Sequence, residues 1–189
     1  MRPNWFIGLA CTAEDLPGEA ADPPKDLRLL HPRDRHLTVA FLGGVDEHEA
    51  RAAFQQLPPP RGPITVSFGD PMGLGHPRKW TALTLGLDRG RAAVSSLMEA
   101  SREAMWSAAG AARDRRPALP HVTIGRLRVR SKPAARSAAL SWAETLERSQ
   151  ARALERWVLY SWSPWRLRKH RVPPRGERLD FRWVDERLL

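Results

Sequence analysis

The chain has 189 residues, enough for one domain with a sizeable buried core, and its one cysteine excludes an internal disulfide or a cysteine-built zinc site. Its 31 Lys and Arg against 21 Asp and Glu give a formal net charge of +10, most of it from Arg. Guanidinium groups present a fixed fork of donors that suits phosphate, so composition favours an anionic partner such as nucleic acid without identifying one.

In chain order, residues 5–10 read as a first strand. The apolar stretch ending at Cys11 is too short to span a membrane and lacks the order of a signal peptide, so a cytoplasmic protein with no membrane partner is expected. Cys11 reads as a small core residue. Pro17, Pro23 and Pro24 argue against a regular helix in the next stretch, and residues 27–30 read as a short edge strand. Residues 36–42 form a strand closed by Gly43-Gly44. Asp46 can cap a helix carrying Ala50, Ala53, Phe54 and Leu57, which Pro58-Pro59-Pro60 stops. Residues 64–68 and 80–87 are strand-like, joined by a Gly- and Pro-rich loop over 69–77.

Residues 91–110 give the strongest helix pattern, with Val94, Leu97, Met98 and Met105 on one stripe and a Gly at the end. After a basic turn at 113–117, a strand runs over 119–127. Ser131 reads as the cap of a third helix, with Pro133 in its first turn and Ala138, Leu140, Trp142 and Leu146 as its apolar residues. A strand over 154–162, a loop over 163–176 and a last strand over 179–184 complete the chain. This order predicts an α+β fold of two similar halves, with helices outside an antiparallel or mixed sheet whose inner faces form a cleft. A ligand site at the junction of the halves is expected.

Two tetrads, His36-Leu37-Thr38-Val39 and His121-Val122-Thr123-Ile124, repeat one pattern 85 positions apart. Among six His and seven Thr, two chance occurrences of His-x-Thr would arise in roughly 2% of shuffles. On a strand, each His and its Thr share a face while Leu37, Val39, Val122 and Ile124 point to the other. Two imidazoles of ordinary pKa near 6.5 can hold one proton between them at neutral pH, so one accepts while the other donates. The Thr hydroxyls would bind the non-bridging oxygens of a phosphate held between the rings. That arrangement suits phosphoryl transfer with attacking and leaving oxygens roughly in line, and a cyclic phosphodiester is its natural substrate. There is no His-Glu-x-x-His and no paired carboxylate at ligand spacing, so neither a metal nor another cofactor is expected.

The tetrads, the element order and Phe41-Leu42-Gly43 resemble the two-histidine phosphoesterase superfamily, specifically the bacterial RNA 2′,3′-cyclic phosphodiesterases, also called 2′-5′ RNA ligase-like or LigT-like proteins. The resemblance spans nearly the whole chain. It implies one phosphoesterase domain over residues 1–189, bilobal, with two pseudo-symmetric lobes of antiparallel sheet, outer helices and a central cleft. It further implies metal-independent hydrolysis of a terminal cyclic phosphate to a 2′-phosphate, with His36 as proton donor and His121 as proton acceptor. Members of the family place a helix between the first strand and the first tetrad, where the prolines here imply a short or irregular segment. Arg126 matches a basic position five residues after the second His and would bind phosphate, although strict alternation turns it away from His121.

Phe6, Trp162 and Trp165 are candidates to stack on a base, the last two beside a run of Arg and Lys near the C-terminus. The expected partners are RNA or oligonucleotide ends carrying a cyclic phosphate and small cyclic nucleotides, met by a monomer. Alternatives are a phosphodiesterase acting on an ADP-ribose cyclic phosphate or on 2′-5′ oligonucleotides, and a non-catalytic RNA-binding module.

Overall fold

In the computed structural model, residues 3–11, 22–59, 61–146, 151–162 and 179–189 are described. The elements run β1 (Trp5–Ala10), β2 (Arg28–Leu29), β3 (His36–Gly43), α1 (Glu47–Gln55), β4 (Ile64–Val66), β5 (Phe68–Leu74), β6 (Ala82–Leu87), α2 (Arg91–Ala108), β7 (His121–Arg126), α3 (Pro133–Glu144), β8 (Arg152–Leu154), β9 (Arg156–Trp162) and β10 (Phe181–Leu188).

All but β4 and β8 join one sheet in the order β10-β9-β1-β3-β7-β6-β5, with β2 added on β7; β4 and β8 pair separately. Every pairing is antiparallel. The α+β expectation is met, with two lobes, β10-β9-β1-β3 and β7-β6-β5, that meet where β3 lies against β7. The lobes are not the two halves of the sequence. β5 follows the first tetrad yet pairs with β6 in the other lobe, and β9 follows the second tetrad yet pairs with β1.

The main core lies between one face of this sheet and the helices. It takes Trp5, Ile7 and Leu9 from β1, Leu37 and Val39 from β3, and Leu83, Leu85 and Leu87 from β6. Each such fully buried side chain contributes roughly 1.5–3 kcal/mol. On the opposite face a smaller cluster of Phe6, Ala10, Val158, Tyr160 and Phe181 fills one lobe, so β1 is buried on both sides.

α1 begins at Asp46, whose carboxylate accepts from the Glu49 N–H while the Glu49 carboxylate accepts from the Asp46 N–H. α2 starts at Gly90, which holds φ of 78° and lies where a Cβ would come within 2.5 Å of the Thr65 carbonyl oxygen, so only glycine fits. Its buried residues include Val94, Met98, Met105 and Trp106. Cys11 is buried, as its core role requires.

Several expectations need correction. The loop foreseen over 69–77 is mostly strand β5, paired with β6. Pro71 is tolerated because β5 is an edge strand with its unpaired side free of ladder bonds. Gly73 lets the Trp80 ring lie against the strand, since a Cβ there would sit 2.3 Å from the ring. The strand foreseen over 154–162 is two, β8 and β9, and the last strand extends to Leu188.

The cap of α3 is Lys132 rather than Ser131, with no side-chain bond. Its inner face carries Arg136, Ala139, Trp142 and Ala143, leaving Ala138 exposed. Arg136 explains the turn of the helix: its buried guanidinium donates to the carbonyls of Trp80, Ser131 and Val129. Pro17 and the loop 163–176 lie outside the described residues.

Gly73→Val should force the Trp80 ring out of its place and cost about 1–3 kcal/mol, read as a lower urea midpoint with unchanged slope.

Candidate active site

β3 and β7 bring the two tetrads side by side, with Leu37 opposite Val122. Counting outward from that antiparallel pair puts His36 across from Thr123 and Thr38 across from His121. The four polar side chains are partly exposed, whereas Leu37, Val39, Val122 and Ile124 are no more than 4% exposed. The hydrophobic positions thus anchor the strands in the core while both imidazoles and both hydroxyls face the same opening.

Each tetrad strand carries a bulge at the same place. Gly8 pairs with Thr38 and Ile7 with Ala40, so Val39 is passed over. Thr84 pairs with Thr123 and Leu83 with Gly125, so Ile124 is passed over. One extra residue resets the alternation, and the residue five positions after each His returns to the face of that His. The sequence expectation that turned Arg126 away from His121 is corrected by this bulge. Arg126 is close enough to His36 for its charge to disfavour imidazolium there.

Phe41 occupies the corresponding place on β3. It lies opposite Phe6 and therefore on the same face, and its ring is 47% exposed. One end of the opening is therefore cationic and the other aromatic.

Both rings are oriented by one local device. The Nδ1–H of His36 donates to the Asp34 carbonyl at 2.7 Å, and that of His121 to the Leu119 carbonyl at 2.6 Å. Each bond reaches back two residues and leaves Nε2 as the acceptor in the neutral ring. His36 also stacks on Phe6, with centroids 4.6 Å apart, and lies 4.8 Å from Tyr160 and 5.2 Å from Phe181. Gly8 makes room for this packing: a Cβ there would meet the Leu37 carbonyl oxygen at 2.6 Å and the His36 ring at 3.5 Å.

Asp34, which holds His36 through its carbonyl, is itself 1% exposed. Its carboxylate accepts from the N–H groups of Asp180 at 2.5 Å and Phe181 at 3.1 Å. This staple ties the approach to β3 to the start of β10.

Burial pushes His36 down to about 4, helped by the charges of His121 and Arg126 and opposed by the bond to Asp34. Burial also lowers His121, against its bond to Leu119. The expectation of two ordinary imidazoles is corrected, since burial disfavours the charged form of both. Burial pushes the Asp34 carboxyl up to about 6.

Of the other sequence candidates, Phe6 is 3% exposed, with its ring against His36 and Tyr160, so no surface remains for a base. Trp162 is partly exposed at the end of β9, packed against the cluster that holds Phe6. Trp165 lies outside the described residues. Among the described residues no three His, Cys, Asp or Glu side chains gather as metal ligands would. None of the described helices is long and apolar enough to cross a membrane.

Sequence reading missed Gly8, Asp34 and Phe41. A glycine inside an otherwise apolar strand was the available signal for Gly8; Asp34 depends on partners 146 and 147 positions away.

Comparison with known proteins agrees with this layout. The family model of the 2′-5′ RNA ligase superfamily matches residues 19–164. RNA 2′,3′-cyclic phosphodiesterase of Bacillus subtilis (strain 168) is 27% identical over 135 residues, covering 67% of this chain and 72% of the relative. The fold is similar to that of E. coli LigT, crystallised with 3′-AMP, at a TM-score of 0.64 and 21% identity over 100% of this chain and 99% of that one. It is also similar to TT0787 of Thermus thermophilus, at a TM-score of 0.63 and 14% identity, covering 98% and 97% of the two chains.

In an NMR titration of the free protein His36 should stay neutral down to about pH 4, and saturating inorganic phosphate should move its midpoint up; a midpoint near 6.5 without phosphate contradicts the burial argument. The two buried groups also act on stability with opposite signs. His36 binds its proton more weakly when folded, so its contribution is complete above pH 6.5 and is lost as pH falls toward 4. Asp34 binds its proton more tightly when folded, so its contribution grows as pH falls from about 6 toward 3.8. Asp34→Asn removes the second effect, and its urea midpoint should fall more steeply than that of the wild type between pH 6 and pH 4.

Proposed function

The chain belongs to the 2′-5′ RNA ligase superfamily, and on that premise we propose that it is a phosphodiesterase that opens an RNA-type 2′,3′-cyclic phosphate to a 2′-phosphomonoester by paired histidine acid–base catalysis, without a metal. The observation that carries this reading is the pairing of Leu37 with Val122, which sets both His-x-Thr units on one face. The name of the Bacillus subtilis relative, an RNA 2′,3′-cyclic phosphodiesterase, supports the same substrate class.

In this reading phosphorus rests between the two Nε2 atoms, Thr38 and Thr123 donate their hydroxyls to its non-bridging oxygens, and Arg126 adds charge at the His36 end. His121 takes a proton from the attacking water. His36, once protonated, delivers its proton to the departing 3′-oxygen. The donor role of His36 and the acceptor role of His121 are those that the family resemblance implies. The anionic substrate supplies what the free protein lacks, since a phosphate beside His36 favours the charged ring and draws its pKa back toward neutrality. Binding of the anion and protonation of His36 are therefore coupled.

With a 2′,3′-cyclic nucleotide and EDTA present, turnover should continue, and His36→Ala or His121→Ala should lower kcat by at least about 10²-fold, with smaller losses for Thr38→Val and Thr123→Val. Turnover abolished by chelation would remove the metal-free mechanism. Full activity in both histidine variants would remove the site, and binding of RNA without any turnover would favour a binding module.

A further inference from the structure

We propose that Arg28, set beside Arg126, forms a second anion subsite that grips the phosphodiester adjoining the reacting phosphate when an oligoribonucleotide end is bound. The inference rests on the reading of the cleft as a cyclic phosphodiesterase and extends it to substrate length.

β2 takes the edge of β7 where β3 has left it, and its two residues pair with the end of β7: Arg28 with Arg126 and Leu29 with Gly125. Directly paired residues project from the same face, so Arg28 shares the face of Arg126 and hence of His36. Like charges placed directly opposite each other are destabilising, and this pair needs a counter-charge. Asp180 provides one from behind. It is fully buried, accepts from the Arg28 guanidinium at 2.7 Å and favours the charged form of Arg126.

One carboxylate serves two guanidinium groups. The neighbouring Asp34 carboxylate is committed to the N–H groups of Asp180 and Phe181. The Arg126 Nε is buried and has no hydrogen-bond partner among the described residues. The side chain of Arg28 is 31% exposed while its carboxylate partner is inaccessible, so the guanidinium is fixed from within and open from without. Two forks of donors held this way fit an anion with several oxygens, which a phosphodiester provides.

Position selects which phosphate this is. Arg126 reaches the His36 end of the cleft, beside the scissile group. Arg28 stands beside Arg126, one strand spacing across, about 4.8 Å, on the line that β3 leaves. A single phosphate between the imidazoles leaves Arg28 unused, whereas an RNA chain carries a second phosphate on the 5′ side of its terminal nucleoside.

The test compares a dinucleotide ending in a 2′,3′-cyclic phosphate with the corresponding mononucleoside 2′,3′-cyclic phosphate. In the wild type kcat/KM should favour the dinucleotide by about tenfold or more, as expected for one added charge-assisted contact. Arg28→Gln should bring the dinucleotide down to within about twofold of the mononucleotide, and Arg28→Lys should retain part of the advantage.

Equal rates on the two substrates in the wild type overturn the subsite, as does an equal loss on both in Arg28→Gln, which would mark Arg28 as a support for His36. Calorimetry with two non-reacting ligands gives an answer independent of turnover. Adenosine 2′,5′-bisphosphate should bind the wild type about tenfold more tightly than adenosine 2′-phosphate, and the difference should vanish in Arg28→Gln. Equal affinities in the wild type overturn the subsite even if Arg28→Gln fails to fold. Absence of turnover on both substrates, with the affinity difference intact, rejects the enzymatic reading and leaves the anion subsite standing.

Discussion

The contact on which the site depends is the pairing of Leu37 with Val122. It joins the two lobes of the sheet, and both side chains are wholly buried in the core shared with the helices. Because neighbouring residues on a strand point to opposite faces, burying this apolar pair turns the flanking His and Thr residues outward on both strands. The hydrophobic effect thus fixes the polar geometry. A shift of one residue in the register would bury the imidazoles and expose the leucine and valine, which makes the alternative strongly unfavourable.

Around that contact the two strands behave alike. Each has a bulge three residues after its His, each orients its imidazole by a carbonyl two residues earlier, and each returns the fifth residue after the His to the open face. The symmetry of the scaffold makes the differences on it informative. The fifth residue is Phe41 on one strand and Arg126 on the other, and His36 has a wall of aromatic rings that no ring contact of His121 matches among the described residues. A backbone of approximate twofold form thereby holds two chemically different ends.

The same packing governs the electrostatics. Rings stacked on His36 exclude water and make its imidazolium costly, which lowers its pKa. The backbone carbonyls oppose this cost without removing it, and they set the tautomer. Asp34 and Asp180, both inaccessible to water, brace this end of the cleft from beneath. They do so through hydrogen bonds to backbone and to Arg28, which is how buried carboxylates are accommodated.

Much of this was legible in the amino-acid sequence, because the signals are local. The periodicity of α1 and α2, the Asp46 cap, the first strand and the two His-x-Thr faces all depend on residues within a few positions of one another. Three kinds of feature were beyond its reach. Arg126 was turned to the wrong face because alternation holds only while a strand is regular, and the bulge at Ile124 is set by pairing with β6, forty residues earlier. β5 looked like a loop because Pro and Gly are poor strand formers, yet an edge position and the Trp80 ring make them suitable there. The support of His36 by Asp34 and β10, and the meeting of Arg28 with Arg126, join segments separated by about a hundred residues or more. Sequence by itself singled out the two His-x-Thr units and set each His on the same strand face as its Thr, since side-chain identity and strand period are local properties. Only the tertiary structure decided that the two units meet on one face, which rings and arginines lie beside them and how deeply they are buried, because those follow from packing and cross-strand pairing.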